Sequence, residues 1–212
     1  MSTDQITSEL AASPGHFRVP EELTLLNKWM FSAIQPYIRG RILEIGSGNG
    51  ELSDFFVQQG IHLHLSDEND DHCIKLREKF QGVNAIRKVH NINFLRQDFR
   101  AFYASKSEVF STLIALNVAD HNVYDKVALA NSKHLLRQRG FLIFVAPAYT
   151  ALYPGTPENT QDLRRFNQKR LKALLDDDFE ILKTRYFNLS GNMQNRLSNH
   201  LGLSVLALAR KL

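Results

Sequence analysis

"RILEIGSGNGELS", Arg41 to Ser53, is the stretch on which the reading of this chain turns. An apolar run, Ile42, Leu43 and Ile45, breaks into glycine at every second position, Gly46, Gly48 and Gly50. A helix-like segment follows over roughly residues 50–59. Glycine takes φ above zero without a steric penalty, and its missing Cβ lets a ligand lie against the backbone. The helix amino terminus behind such a turn presents free N–H groups. Strand, glycine turn and helix, in that order, predict a ligand cradle.

Outward from this turn the chain alternates. Before it, Leu23, Leu26, Met30, Ile34 and Tyr37 recur at three- and four-residue steps, the stripe of an amphipathic helix. After it, "IHLHLSD" reads as a strand, and a helix follows in which Cys73, Leu76 and Phe80 share a face. "INFLRQD" reads as a short strand, and "VFSTLIALN" as a central parallel strand covered on both sides. A helix over roughly 122–138, stopped near Gly140, leads to the buried strand "GFLIFVAP". Past a long loop, "LRRFNQKRLKALLDD" is helical, and "FEILKTRYFN" and "LSVLALARK" close the chain as strands. This alternation predicts a single doubly wound α/β domain with ligands at the carboxyl ends of its strands. The last two strands lack a long helix between them, so an antiparallel edge pair is expected.

Composition narrows the class. The 212 residues, 43% hydrophobic and 23% charged, suit one globular domain with a full core. The net charge of +4 comes with no dense Lys/Arg block, so no nucleic-acid partner is expected. The single cysteine, Cys73, excludes an internal disulfide framework and fits a helix core position. The start, "MSTDQITSELAASPG", has neither a basic nor an apolar leader region, and residues 1 to about 16 read as a flexible polar terminus. No run approaches the roughly 18 apolar residues of a membrane span. A cytoplasmic protein without a membrane partner is the expectation; the oligomeric state is not legible. His62 and His64 alternate on one strand, but two histidines without a third ligand do not make a metal centre, and no metal is expected.

The spacing of the turn separates its possible ligands. A dinucleotide turn reads G-x-G-x-x-G/A, and from Gly46 the last position falls on Glu51; from Gly48 it falls on Ser53. What stands here is G-x-G-x-G with an acid, Glu44, two residues before the first glycine, and with Asp67 ending the next strand about 20 residues on. The chain thereby resembles the class I S-adenosylmethionine-dependent methyltransferases over roughly residues 25 to 212, with residues 17–212 forming the domain and its N-terminal helix or lid. "ILEIGSGNG" stands for the first motif, Asp67 for the acid after the second strand, and Asp98 in "FLRQDF" for the acid after the third. "NVADH" is similar to the family's N-V-L-E-H, and "FLIFVAPAYTALY", "LRRF" and "DFEILKTRYFN" are similar to segments of a bacterial small-molecule branch. The resemblance implies a Rossmann-like, seven-stranded sheet of order 3-2-1-4-5-7-6 with strand 7 antiparallel.

It also implies roles. Glu44 with Gly46, Ser47, Gly48 and Gly50 would hold the methionine end of S-adenosylmethionine, and Asp67 the ribose hydroxyls. Asp98 would accept from the adenine amino group with Phe99 beside the ring, and Asn117 would offer its carbonyl to the methionine amine. The plain alternative for Asp67 and Asp98 is a cap of a strand-end turn. His121, beyond the fourth strand, is the candidate general base, with Asp120 beside it; the alternative is a histidine that orients its loop.

The acceptor side departs from the branch. Where relatives carry an aspartate and a histidine in the loop after the fifth strand, this chain has Pro157 and Asp162, while Tyr153, Arg164 and Arg165 remain. Trp29, with Phe17 and Arg18, could close over the pocket; Tyr37 is read as packing. The expected activity is methyl transfer to a small-molecule acceptor without a metal, oxygen being the first choice of acceptor atom and nitrogen or carbon open. The product cofactor would be S-adenosylhomocysteine. A cofactor-binding pseudomethyltransferase acting as a partner subunit and an NAD(P)-dependent oxidoreductase are the alternatives.

Overall fold

The computed structural model describes residues 31–116, 126–147, 168–175, 178–187 and 204–212. Residues 31–34 are helical and run into a 3-10 turn at Gln35–Tyr37, which delivers the chain to β1 (Ile42–Ile45). There follow α1 (Glu51–Gln58), β2 (Leu63–Asp67), α2 (Asp70–Lys79), β3 (Ile86–Asn91), the short α3 (Phe99–Phe102) and β4 (Phe110–Leu116). After them come α4 (Lys126–Leu135), β5 (Leu136–Pro147), α5 (Gln168–Leu175), β6 (Phe179–Phe187) and β7 (Ser204–Lys211).

The strands form one seven-stranded sheet in the order β3-β2-β1-β4-β5-β7-β6. β1 pairs in parallel with β2 and β4, β2 with β3, and β4 with β5. β7 runs antiparallel to both β5 and β6, which gives the antiparallel edge pair expected from the sequence. All four residues of β1 are buried, the signature of a central strand covered on both faces. The two faces feed separate cores, because successive side chains on a strand point to opposite sides. Leu43 and Ile45 join Phe99, Phe110, Phe144 and Leu171 on one side. Ile42 joins Phe56, Leu65, Cys73, Leu76 and Ile143 on the other. Among the described residues no helix is long and apolar enough to cross a membrane.

One strand lies elsewhere than the hydropathy predicts. β3 is Ile86–Asn91, "IRKVHN", and not "INFLRQD", which is loop and turn. β3 is an edge strand whose Arg87 and Lys88 are exposed, and charged edges are how sheets avoid pairing with other chains. Its neighbours Ile92 and Phe94 are apolar because they reach the core from the loop. Sheet order reverses between β2 and β4 on either side of β1, which makes the carboxyl end of β1 the place where a doubly wound sheet takes its ligand.

Candidate cofactor site

The glycine turn sits at that carboxyl end. Gly46, Gly48 and Gly50 all have positive φ, 68°, 51° and 72°, a region that side chains with a Cβ rarely enter. Gly50 is the N-cap of α1. A Cβ there would lie 2.7 Å from Phe80 Cε2 and 2.8 Å from Leu76 Cδ2, so the turn is pressed directly on α2. Gly48 is the opposite case, with nothing within 4 Å of the position a Cβ would take. The turn is tied down by its own backbone, Ser47 N–H donating to Ser66 O at 2.9 Å and Gly50 N–H to Ser47 O at 2.8 Å. Lys79 at the end of α2 donates to the carbonyls of Asn49 and Gly50 and pairs with Asp54 at 2.6 Å.

Glu44 is buried in β1 and accepts from Ser53 Oγ at 2.6 Å. Burial pushes its carboxyl up to about 7, against the opposing pull of the Ser53 hydrogen bond and the Lys79 charge. A cation brought beside it would favour its charged form. The Ser47 hydroxyl is close enough to ease that charge, yet it is buried without a well-formed hydrogen bond. An orphaned buried hydroxyl beside an open glycine is what a site shaped for an absent polar ligand looks like.

Asp67 ends β2 nearly buried, with both carboxylate oxygens occupied. Gly48 N–H donates to Oδ2 at 2.9 Å, joining the turn to the acid. Asn69 N–H donates to Oδ1 at 2.9 Å, and His72 Nδ1 lies 3.2 Å from the same oxygen. Asp67 thus caps the strand-end turn and ties it to the glycine turn.

Asp98 is different. It is exposed and makes no capping hydrogen bond at the start of α3. Its carboxylate is gripped by Arg96, Nη2 donating to Oδ2 at 2.9 Å and Nε meeting Oδ1, and this hydrogen bond holds its pKa below the usual carboxylate value. The Arg96 guanidinium also lies 3.7 Å over the centre of the exposed Phe102 ring.

The Phe99 ring, which follows Asp98, is part of the core. Phe99 is 0% exposed, stacked on Phe94 with centroids 5.5 Å apart and tilted on Tyr103 at 4.6 Å. In this structure the Phe99 ring packs among aromatic neighbours. Tyr37 packs edge-on against Phe141, and Cys73 is a buried core thiol whose pKa burial raises. Asn117, Asp120, His121, Trp29, Tyr153, Pro157, Asp162, Arg164 and Arg165, with Phe17 and Arg18, lie outside the described residues.

His62, just before β2, and His64, on it, part company. His62 contacts Arg87, whereas His64 Nδ1 lies 3.0 Å from His90 Nε2 with the two rings stacked and Phe110 edge-on to both. Burial lowers the pKa of both, His90 to about 4. Among the described residues no group of three or more His, Cys, Asp or Glu side chains is placed to hold a metal ion. Sequence reasoning missed Ser53 on Glu44, His72 on Asp67 and Arg96 on Asp98. The available signal was position: Ser53 and His72 both lie in the first turns of the helices that follow the strands bearing their partners.

No protein-family model matches the chain, and no curated protein matches its sequence. Solved structures match its fold. The N-methyltransferase NodS from Bradyrhizobium japonicum is similar with a TM-score of 0.63 at 12% identity, covering 92% of this chain and 99% of that one. An S-adenosylmethionine-dependent methyltransferase from Methanosarcina mazei gives 0.61 at 18% identity, over 85% of this chain and 97% of that one. The CurJ carbon methyltransferase gives 0.61 at 20% identity over 89% of this chain, which spans 53% of that structure, about half its length. With the strand order and antiparallel β7 these likenesses agree in one conclusion: the chain has the class I methyltransferase fold.

Proposed function

We propose that the chain binds S-adenosylmethionine at the glycine turn and transfers its methyl group to a small-molecule acceptor. The observation that carries this reading is the bond from Gly48 N–H to Asp67 Oδ2, which joins the ends of β1 and β2 into one rim. On that rim Asp67 takes the ribose, Ser47 and the three glycines the methionine end, and the Glu44 carboxyl the charge of its ammonium. The bound cofactor supplies a methyl group already on a sulfonium leaving group, so the protein's task is chiefly positioning. Asp98 serves the adenine amino group and Asn117 the methionine amine. His121 acts as base for a hydroxyl acceptor in a pocket bounded by Trp29, Tyr153, Asp162, Arg164 and Arg165.

A dinucleotide suits the turn less well. Glu51 and Asp54 stand in the first turn of α1, where two acids oppose a pyrophosphate that the helix end would otherwise attract. The acceptor atom is proposed as oxygen. Nitrogen and carbon remain within reach of the fold, since NodS is an N-methyltransferase and CurJ a carbon methyltransferase. The one buried thiol suits a reducing compartment, and we assign the protein to the cytoplasm.

Calorimetry with S-adenosylhomocysteine is the first test: one site per chain is expected, and no heat of binding up to millimolar ligand would remove the reading. Incubation with methyl-labelled cofactor and a metabolite extract should then yield a product heavier by one methyl. Binding without transfer would point to a cofactor-binding partner subunit, the reading favoured by Pro157 and Asp162 in the acceptor loop.

A further inference from the structure

A carboxylate offers about four lone-pair positions, two on each oxygen. Among the described residues three are filled at Asp67: one on Oδ2 by Gly48 N–H, and both on Oδ1 by Asn69 N–H and His72. Because a carboxylate only accepts, His72 Nδ1 must carry the hydrogen of this contact. The described residues leave one position, on Oδ2. A ribose diol brings two hydroxyl donors and needs one acceptor position on each oxygen, so one resident donor has to leave.

The two backbone donors are poorly able to do so. Gly48 N–H belongs to a turn closed by Ser47 and Ser66, and Asn69 N–H to the N-cap of α2, whose side chain holds Asp71 N–H at 2.8 Å. His72 is a side chain on the first turn of α2, 37% exposed, and free to swing toward solvent. From this geometry, and on the reading of Asp67 as the ribose ligand, we infer that His72 is a stand-in for the ribose. It occupies Asp67 Oδ1 in the cofactor-free protein and is displaced when the nucleoside binds.

The arrangement has a physical purpose. Asp67 is 8% exposed, and a nearly buried carboxylate with an unfilled position costs free energy. His72 fills that position and holds the carboxylate in its binding orientation, and its departure is a cost charged to the cofactor. Breaking one such contact weakens binding roughly threefold to tenfold, the range of a net hydrogen bond. His72 is therefore a positioning residue that tunes affinity and contributes no donor to the bound state.

The test uses the full chain, S-adenosylhomocysteine as probe, and histidine side-chain NMR with His72 assigned from its loss in His72→Ala. In the native protein the His72 ring resonances should move on saturation to the values they already have in ligand-free Asp67→Ala. His72→Ala should bind the probe roughly threefold to tenfold more tightly than the native protein, while Asp67→Ala loses most of its affinity. If Asp67→Ala is weakened but His72 does not move and His72→Ala binds no more tightly, the stand-in role is wrong and the site reading survives. If Asp67→Ala binds as the native protein does, the site reading itself fails and the inference with it.

Discussion

Asp67 and Asp98 follow neighbouring strands, and the resemblance gives both to the same nucleoside, yet the chain holds them in opposite ways. Asp67 is nearly buried and anchored by two backbone N–H groups, which belong to a turn and a helix cap. Asp98 is exposed and held by the side chain of Arg96, two residues away. Backbone donors cannot rotate away, so the Asp67 carboxylate stays oriented before any ligand arrives. An arginine on the surface moves at little cost, because exposed ion pairs contribute roughly 0–1 kcal/mol. On the proposed reading, the ribose end keeps its two backbone anchors and exchanges only His72. At the adenine end the side chain of Arg96 is, among the described residues, the whole grip on Asp98.

If this contrast is right, damage at the two carboxylates should differ by more than an order of magnitude. Asp67→Ala removes the diol acceptor and unties Gly48, and S-adenosylhomocysteine affinity should fall roughly 100- to 1,000-fold in calorimetry, as expected for charged hydrogen bonds lost together. A loss under tenfold would place the ribose elsewhere.

Glu44 tests the backbone-anchored side through pH. The folded protein keeps its proton up to about 7, whereas the ordinary value is 4.5. Its stabilising contribution is therefore complete below pH 4.5 and is lost as pH rises through 7, an amount of roughly 3 kcal/mol. Denaturant unfolding across that window should show the decline in the native chain and a flatter profile in Glu44→Gln. Saturating S-adenosylhomocysteine should reduce the decline, since its ammonium favours the charged carboxyl.

Gly50→Ala probes the turn that carries Asp67's anchor. The new methyl meets Phe80 and Leu76 within 3 Å at a left-handed φ, and stability should drop by about 2 kcal/mol in thermal unfolding. The same change at Gly48, where a Cβ meets nothing, should cost less stability and show itself in cofactor affinity. The smallest effect belongs to the adenine side: Asp98→Asn should weaken the probe only about threefold to tenfold. A loss as large as that of Asp67→Ala would erase the distinction between the two ends.

How much of this could be read from the residues differs along the chain. Glu44, the three glycines and Asp67 were legible because they belong to one strand-turn-helix unit and the strand end beside it, where spacing alone sets geometry. β3 was not, because its adjacent charges Arg87 and Lys88 are the mark of an edge strand, and hydropathy favoured the apolar loop after it. The packing of Phe99 was not legible either, for a related reason. Its place after Asp98 matches the motif, but the stack with Phe94 and Tyr103 draws the ring into the core.

The sequence by itself determined the strand-helix alternation, the left-handed glycine turn and the acid that ends β2, since periodicity and glycine's freedom act within a few residues. Only the tertiary structure decided what each carboxylate holds while it waits. Ser53 reaches Glu44 because the glycine turn folds α1 back over the end of β1, Gly48 reaches Asp67 because parallel pairing of β1 and β2 sets their carboxyl ends side by side, and α2 packing on β2 turns His72 onto the same acid. Hydrogen-bond partners are chosen by distance in space, and that distance exists only once the sheet has formed.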